Sequence, residues 1–459
     1  MKKVLIANRG EIACRVIRAC RSLGLKTAAV FSEADEHALH AELADEAYPI
    51  GPAPARKSYL DRAAVLEAAR LSGADAVHPG YGFLSESPAF ARAVEAAEMT
   101  WIGPRAKTIE DMGDKERARM LAKSAGVPVL PGSPRFAAGD AAGLAQCAED
   151  VGYPLLVKAA GGGGGIGMRL VEGPERLAEV VEATQMQAER TFGDGTVYLE
   201  RFVARARHVE VQVFGLGDGR VVTFPERDCS VQRRFQKVIE ESPAPGLSPV
   251  TREAMRKAAE ALAAQERYRG AGTVEFVLDG DSEEFFFLEM NTRIQVEHPV
   301  TEMATGVDLV GLQLRLAAGD GLEALADACP VAEGHAIEAR IYAERPEKGF
   351  LPSPGHLERC DLPEQADGLR IDGGIRQGDT ITAHYDPMIA KLIAVGDDRQ
   401  HAIERLRAGL AQCRISGVAT NLDFLLNVLA DEAYRKGGVS TRFVEENLRA
   451  LTTVPADHA

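Results

Sequence analysis

Apolar runs of strand length and segments of helical period alternate along the first hundred residues. Residues 4–7, 27–31, 76–78 and 101–102 are short apolar runs of strand type. Between the first two, Ile12, Val16, Ile17 and Cys20 share a helical face over residues 11–23, and Gly24 supplies a stop. A second helix is expected over 63–70. This alternation predicts a parallel, doubly wound α/β sheet. The turn "HPGYGFLSE" follows the run at 76–78, at a strand's carboxyl end, where such sheets hold ligands.

Further along, the pattern predicts one helix over 107–124, ended by Gly126-Val127-Pro128. Strands are expected at 155–159, 168–171, 197–202 and 208–214, and helices at 174–190 and 249–266. "PERDCSVQRRFQKVIEESPAPG", residues 225–246, reads as a loop because it lacks apolar alternation. Residues 273–279 and 284–291 read as a hairpin around the polar turn 280–283. From about Gly334 the composition changes to a compact β unit followed by helices at 399–410, 422–429 and 441–449. The expected division is 1–114, 115–330 (with a lid at about 131–203) and 331–459. The fold class is α/β and α+β.

The stretch "VKAAGGGGGIGMRLV" places Lys158 ahead of five consecutive glycines. A P-loop needs its lysine after the glycines, and no G-K-[ST] follows here. Gly162-x-Gly164-x-x-Gly167 fits G-x-G-x-x-G, but a dinucleotide fingerprint leads into a helix. Here "MRLVEGP" leads to a turn. Two strands therefore grip a glycine flap whose amides can fold over phosphates, with Lys158 on the incoming strand. A plain linker would mix Gly with Ser and lack apolar strands on both sides.

The second constellation is "GTVEFVLDGDSEEFFFLEMNTRIQVEHP", residues 272–299. If Asp279 pairs with Phe285, Glu275 faces Glu289 across the hairpin. Facing carboxylates repel, and Mg²⁺ bound to one or two carboxylates together with phosphate oxygens resolves the conflict. Glu on a strand usually means a solvated face. Here Glu289, Asn291, Arg293, Gln295 and Glu297 share one parity while Met290, Ile294 and Val296 share the other. Arg293 can fork onto an anion, Glu297 can act as a general base, and Lys158 with the flap amides can hold β- and γ-phosphates. A lysine before a glycine flap, with a metal-binding hairpin far downstream, is the pattern of an ATP-grasp ligase.

Charge narrows the classes. Asp and Glu outnumber Lys and Arg by 68 to 53, a formal charge of −15, which argues against a nucleic-acid partner. No run is long and apolar enough to cross a bilayer. The opening "MKKVLIANRGE" reads as a first strand rather than a signal segment, so the expected location is cytoplasmic. The seven cysteines contain no C-x-x-C pair and read as thiols in a reducing compartment. The ten histidines show no zinc spacing.

Over nearly its whole length the chain resembles the biotin carboxylases, the ATP-dependent component of acyl-CoA and pyruvate carboxylases. The resemblance rests on "IANRGEIA", "HPGYGFLSE", "IGP", "MGDK", "KAAGGGGG", "RHVEVQV", "ERDCS", "QKVIEE", "APAPG", "GAGTVEF", "EMNTRIQVEHPVTEM", "FLPSPG" and "YDPMIAKL". It implies an N-terminal pre-ATP-grasp domain, an ATP-grasp domain with a mobile lid and a C-terminal mixed β/α domain. It assigns Lys115 and Lys158 to the ATP phosphates and Gly164 and Gly165 to the amides above them. Glu200, Arg201, Phe202 and Val203 would form the edge read by adenine and ribose, with His208 and Gln232 also on the nucleotide. Glu275, Glu289 and Asn291 would hold Mg²⁺ or Mn²⁺. Lys237, Arg293, Gln295 and the Val296 backbone would surround bicarbonate. Arg340 would stabilise the enolate-like ureido ring of biotin, and Tyr81 and Gly82 would line the biotin entrance.

The mechanism implied is attack of bicarbonate on MgATP, giving carboxyphosphate and ADP. Carboxyphosphate releases CO₂ beside phosphate, the phosphate removes the biotin N1′ proton, and the resulting nucleophile captures CO₂. Two residues depart from the family pattern: Ile166 stands where Arg or Lys is usual, and Phe235 where His is common. Neither can bond phosphate, so weaker or altered ATP binding is expected. Another ATP-grasp ligase, of a carboxylating purine or carbamoyl-phosphate type, would have no use for "HPGYGFLSE" together with Arg340. A non-catalytic scaffold would not need the full set of charged residues. No A-M-K-M-like acceptor is present, so biotin is expected on a separate biotin carboxyl carrier protein, with separate carboxyltransferase subunits. The resemblance also implies a homodimer.

Overall fold

A computed structural model describes residues 1–140, 142–160, 167–322, 325 and 330–453. The first unit is a five-stranded sheet in the order Glu46–Pro49, Lys26–Phe31, Lys3–Ile6, Ala76–His78, Thr100–Trp101. Every neighbouring pair is parallel, as the strand–helix rhythm predicts. The order reverses beside Lys3–Ile6. The crevice at that switch point opens at the carboxyl ends of Lys3–Ile6 and Ala76–His78, where Asn8, Tyr81 and Gly82 follow. Asn8 fixes the turn: its Nδ2 donates to the carbonyls of Pro79 and Tyr81, both at 2.7 Å.

The expected helix over 107–124 is two helices, Ala106–Gly113 and Lys115–Ser124. Asp114 separates them in extended conformation, and its carboxylate accepts from the Arg117 N–H. An N-cap inside a continuous helical pattern restarts the helix in a new direction, and it brings Lys115 to a helix N-terminus.

The largest sheet has nine strands. Its path runs Phe285–Asn291, Arg269–Asp279, Ala206–Leu216, Arg227–Arg233, Gln236–Ser242, His335–Tyr342, Met388–Gly396, Leu369–Gly373, and Val221–Thr223 pairs with Ala206–Leu216. The expected loop at 225–246 is therefore two central strands. Arg227–Arg233 is buried throughout although five of its seven residues are polar or charged. Arg227 and Gln232 reach the functional site, while Asp228 and Arg233 pair with Arg207 and Glu344, so the strand lacks the alternation that marks a half-solvated sheet. The β unit after Gly334 continues the same sheet, through pairing of Gln236–Ser242 with His335–Tyr342.

A separate three-stranded sheet, Met168–Val171, Leu155–Ala159 and Val197–Arg201, forms the base of the expected lid. It has its own core of Phe136, Leu144, Val151, Leu155, Val157 and Leu199. The flap glycines Gly164 and Gly165, and Ile166, lie outside the described residues. The C-terminal region packs against the first unit: a Cβ on Gly374 would meet the Glu11 nitrogen at 2.2 Å, so only glycine permits that approach.

Candidate active site

The site is built on one end of the nine-stranded sheet. His208, Glu210 and Gln212 alternate along Ala206–Leu216, and Glu210 pairs in register with Glu275 on one side and Arg227 on the other. Arg227 is wholly buried, and its five N–H groups all have acceptors: Glu210, Gln212, Thr301, Thr273 and Gln295. A guanidinium satisfied at every donor is a fixed anchor. Its 2.6 Å bond to Gln295 Oε1 orients the Gln295 amide, whose Nε2 donates to Glu275 at 2.8 Å.

Lys237 is the centre. Its Nζ lies 2.6 Å from Glu210, 2.9 Å from Glu275 and 2.6 Å from Glu297. Burial alone would lower the ammonium pKa, but the three carboxylates outweigh it and hold the group well above its usual value. Glu297 responds in the opposite sense: burial resists its ionisation, yet Lys237 and Arg340 bring its carboxyl down to about 2. The Arg340 guanidinium donates to Glu297 at 2.9 Å and sits 2.6 Å from Glu240. His208 Nε2 lies 3.1 Å from Glu275, and its Nδ1 lies 3.0 Å from Gln232 Nε2. Burial would lower this imidazole, but Glu275 raises it to about 9.

The hairpin places Glu275 opposite Glu289. The expected pairing of Asp279 with Phe285 is off by one, since Leu278 faces Phe285. A bulge after Glu275 absorbs the shift. Glu275 has Lys237 and His208 as cationic partners, whereas Glu289 has no ion pair among the described residues. Glu289 reaches solvent, yet desolvation by the cleft walls and the charge of Glu275 hold its carboxyl above the usual range, with Lys115 opposing. Asn291 donates to Glu275 at 2.9 Å and accepts from Arg293 at 2.7 Å. Two facing carboxylates, one short of positive charge, and an amide oxygen form the all-oxygen donor set that suits Mg²⁺ or Mn²⁺.

Arg293 also holds Glu86 at 3.0 Å. The Val296 carbonyl accepts from Lys391 at 2.7 Å. Arg293, Val296, Arg340, Tyr81 and Gly82 line one cavity of about 490 Å³. Its wall includes the Tyr81 hydroxyl, which donates to Glu11. Lys158 forms an ion pair with Glu200, so two residues expected at opposite ends of a nucleotide touch each other here. The Arg201 and Phe202 N–H groups already donate to the carbonyls of Pro131 and Pro154. Phe235 occupies a two-residue hairpin turn, 71% exposed and without a ring partner among the described residues.

Sequence reasoning missed Glu210, Arg227, Glu240 and Lys391. The period-2 run His208-x-Glu210-x-Gln212 was a usable signal for the first. Arg227, Glu240 and Lys391 carry none, because their partners come from distant strands.

The strand order, the lysine-centred carboxylates and the paired-glutamate hairpin define a nucleotide-dependent ligase site. Known proteins agree. Residues 1–109 match the family described as "Biotin carboxylase, N-terminal domain". Residues 114–325 match "Carbamoyl-phosphate synthase L chain, ATP binding domain", and 338–446 match "Biotin carboxylase C-terminal domain". The chain is 48% identical over 448 residues to a biotin carboxylase from Haemophilus influenzae, covering 98% of this chain and 99% of that protein. It is 48% identical over 449 residues to the mitochondrial methylcrotonoyl-CoA carboxylase subunit alpha of Rattus norvegicus, covering 98% of this chain but spanning only 62% of that subunit. A crystal structure of the biotin carboxylase domain dimer of Hydrogenobacter thermophilus 2-oxoglutarate carboxylase, in complex with MgADP, ADP and bicarbonate, superposes with a TM-score of 0.88. It shares 43% identity and covers 99% of both chains. The chain belongs to the biotin carboxylase family. Among the described residues no helix is long and apolar enough to cross a membrane.

Proposed function

We propose that this chain carboxylates biotin with ATP and bicarbonate, through carboxyphosphate, as the first half-reaction of a biotin-dependent carboxylase. One observation carries the reading. Glu297 is held jointly by Lys237 and Arg340, and Arg340 and Arg293 open into the cavity behind Tyr81 and Gly82. A proton acceptor, an anion-binding group and a second guanidinium thus meet at the mouth of one pocket. The division 1–114, 115–330 and 331–459 belongs to this reading.

Bicarbonate is held by Lys237, Arg293, Gln295 and the Val296 N–H. Glu297 is ionised and receives its proton. Arrival of bicarbonate at Lys237 and of the ureido oxygen at Arg340 draws away the two cations that suppress Glu297 basicity. The deprotonated oxygen attacks the γ-phosphorus and ADP leaves, giving carboxyphosphate. That breaks down to CO₂ and phosphate, the phosphate takes the N1′ proton, and N1′ forms the new bond to CO₂ while Arg340 stabilises the ureido oxygen. Lys115 and Lys158 balance phosphate charge, and Lys158 exchanges Glu200 for the nucleotide. Glu275, Glu289 and Asn291 would hold Mg²⁺ or Mn²⁺, which supplies charge neutralisation for the phosphates. Flap closure excludes water from carboxyphosphate.

Biotin arrives on a separate biotin carboxyl carrier protein in the cytoplasm, and the chain acts as a homodimer beside carboxyltransferase subunits. Those subunits choose the acceptor, whether acetyl-CoA, propionyl-CoA, a branched enoyl-CoA or pyruvate. The test is ADP release in a coupled assay with free biotin. Bicarbonate-dependent ATP cleavage stimulated by biotin is expected. Cleavage indifferent to biotin points to another ATP-grasp ligase, and no cleavage at all to a scaffold.

A further inference from the structure

Behind Arg340 lies a pair of acids that the scheme above does not use. Glu240, on Gln236–Ser242, stands directly opposite Glu338, on His335–Tyr342. Both are fully buried. Among the described residues none of their four carboxylate oxygens has a hydrogen-bond partner, and the Arg340 Nε has none either. Glu240 sits 2.6 Å from Arg340 but off the line of a hydrogen bond. Glu338 and Arg340 are two residues apart on one strand and so share a face. Lys391 pairs in register with Arg340, and its ammonium is committed to Glu11 and the Val296 carbonyl.

The pair's own strands contribute Lys237, Arg340 and the Tyr342 hydroxyl, and the adjacent strands contribute the Cys229 thiol and Lys391, the latter next to Asp372 in register. The helix His298–Thr305 covers the same face with Val300 and Ala304. It brings Glu297 at its N-cap, His298 and Glu302. Glu302 is taken by Arg15 and Arg370, and burial keeps His298 neutral. Among the described residues no cation forms an ion pair with Glu338, since Lys391 is held by Glu11 and Arg340 by Glu240 and Glu297, and two opposed buried carboxylates do not both ionise.

We propose that Glu240 and Glu338 are positioning residues for Arg340: they share one proton, Glu338 carries it as a neutral acid donating to Glu240, and charged Glu240 keeps the guanidinium from closing wholly onto Glu297. Arg340 is thereby divided between two anions and retains N–H capacity for a substrate oxygen. Burial, ahead of the opposing charge of Lys391, pushes the Glu338 carboxyl well above the usual range. Burial raises Glu240 to about 7 against the pull of Arg340, and a donated hydrogen bond is what would keep it ionised. The inference rests on the proposed carboxylation only for its kinetic consequence.

Two measurements on the full chain test it. Infrared spectra near pH 8 should contain a protonated-carboxyl carbonyl band that disappears in Glu338→Gln. Persistence of that band overturns the pair whatever the enzyme does. In biotin-dependent ADP release, Glu240→Gln should raise the KM for free biotin about tenfold, as losing a partner behind a binding group does. Glu338→Gln, whose amide can still donate, should keep a near-normal KM, whereas Glu338→Leu should resemble Glu240→Gln. Equal behaviour of the two Glu338 variants, or an unchanged KM in Glu240→Gln, rejects the inference. If Glu338→Leu does not fold, the band and the isosteric Glu240→Gln decide. A wild-type chain that keeps the band but shows no biotin stimulation refutes the carboxylation reading and leaves the shared proton standing.

Discussion

Glu275 and Glu289 face each other across the hairpin because a bulge after Glu275 corrects a register that is one residue off at Phe285. Only Glu275 has cationic partners, so the pair is short of positive charge on the Glu289 side. Glu289→Gln removes the repulsion together with a ligand. The Mg²⁺ concentration for half-maximal ATP cleavage should rise at least about tenfold, while the unfolding midpoint of the ligand-free chain stays equal or rises. A lowered midpoint with unchanged Mg²⁺ dependence would mean that the pair is structural.

Lys237 neutralises Glu210, Glu275 and Glu297 together. Lys237→Met leaves three buried carboxylates against Arg227, His208 and Arg340 alone. Removing one partner of a buried ion cluster costs about 3–5 kcal/mol, so chemical unfolding should shift to clearly lower denaturant, and ATP cleavage should be lost. A loss of activity with no loss of stability would show that the carboxylates protonate readily instead.

Glu241 points to the other side of the sheet, where it accepts two bonds from Arg399, at 2.6 and 2.9 Å, and lies 2.7 Å from His335. Burial opposes ionisation, but His335 and Arg399 bring the carboxyl down to about 2. A folded pKa below the unfolded value of about 4.3 adds stability that is present above that value and lost as pH falls toward 2. Glu241→Gln should destabilise the protein at neutral pH and flatten this part of the acid-unfolding curve. An acid limb identical to wild type would assign the stabilisation elsewhere.

Arg234 and Phe235 form the two-residue turn between Arg227–Arg233 and Gln236–Ser242, with φ of +48° and +64°. Neither residue suits a left-handed turn. Phe235→Gly should stabilise the chain by about 1 kcal/mol, read as a higher melting temperature. Phe235→His supplies the hydrogen-bonding group that the family resemblance expects at this position and should tighten ATP binding. Unchanged affinity would show that the aromatic ring costs the site nothing.

Four strands of the first sheet were legible because they are short apolar runs between helical-period segments, and periodicity reports solvation; the fifth, Glu46–Pro49, is a largely exposed edge strand without an apolar run and was not. The Glu275–Glu289 pairing was legible although the assumed anchor, Asp279 with Phe285, was displaced, because the bulge lies between the anchor and the pair. Arg227–Arg233 and Gln236–Ser242 were not legible as strands. They bury Arg227, Asp228, Gln232, Glu240 and Glu241, and a polar strand buried by its own ion partners has the composition of a loop. The break at Asp114 was hidden because a capping aspartate within a helical pattern looks like an ordinary surface residue.

The seam between Gln236–Ser242 and His335–Tyr342 is a ladder of backbone bonds inside one continuous sheet. The part of the molecule beyond residue 334 is therefore not an interchangeable cassette. A chimaera joined near residue 334 would inherit a donor strand whose twist, side-chain volumes and buried charges must match a foreign neighbour rung by rung, so recombination among relatives should succeed only where both sides of that ladder travel together.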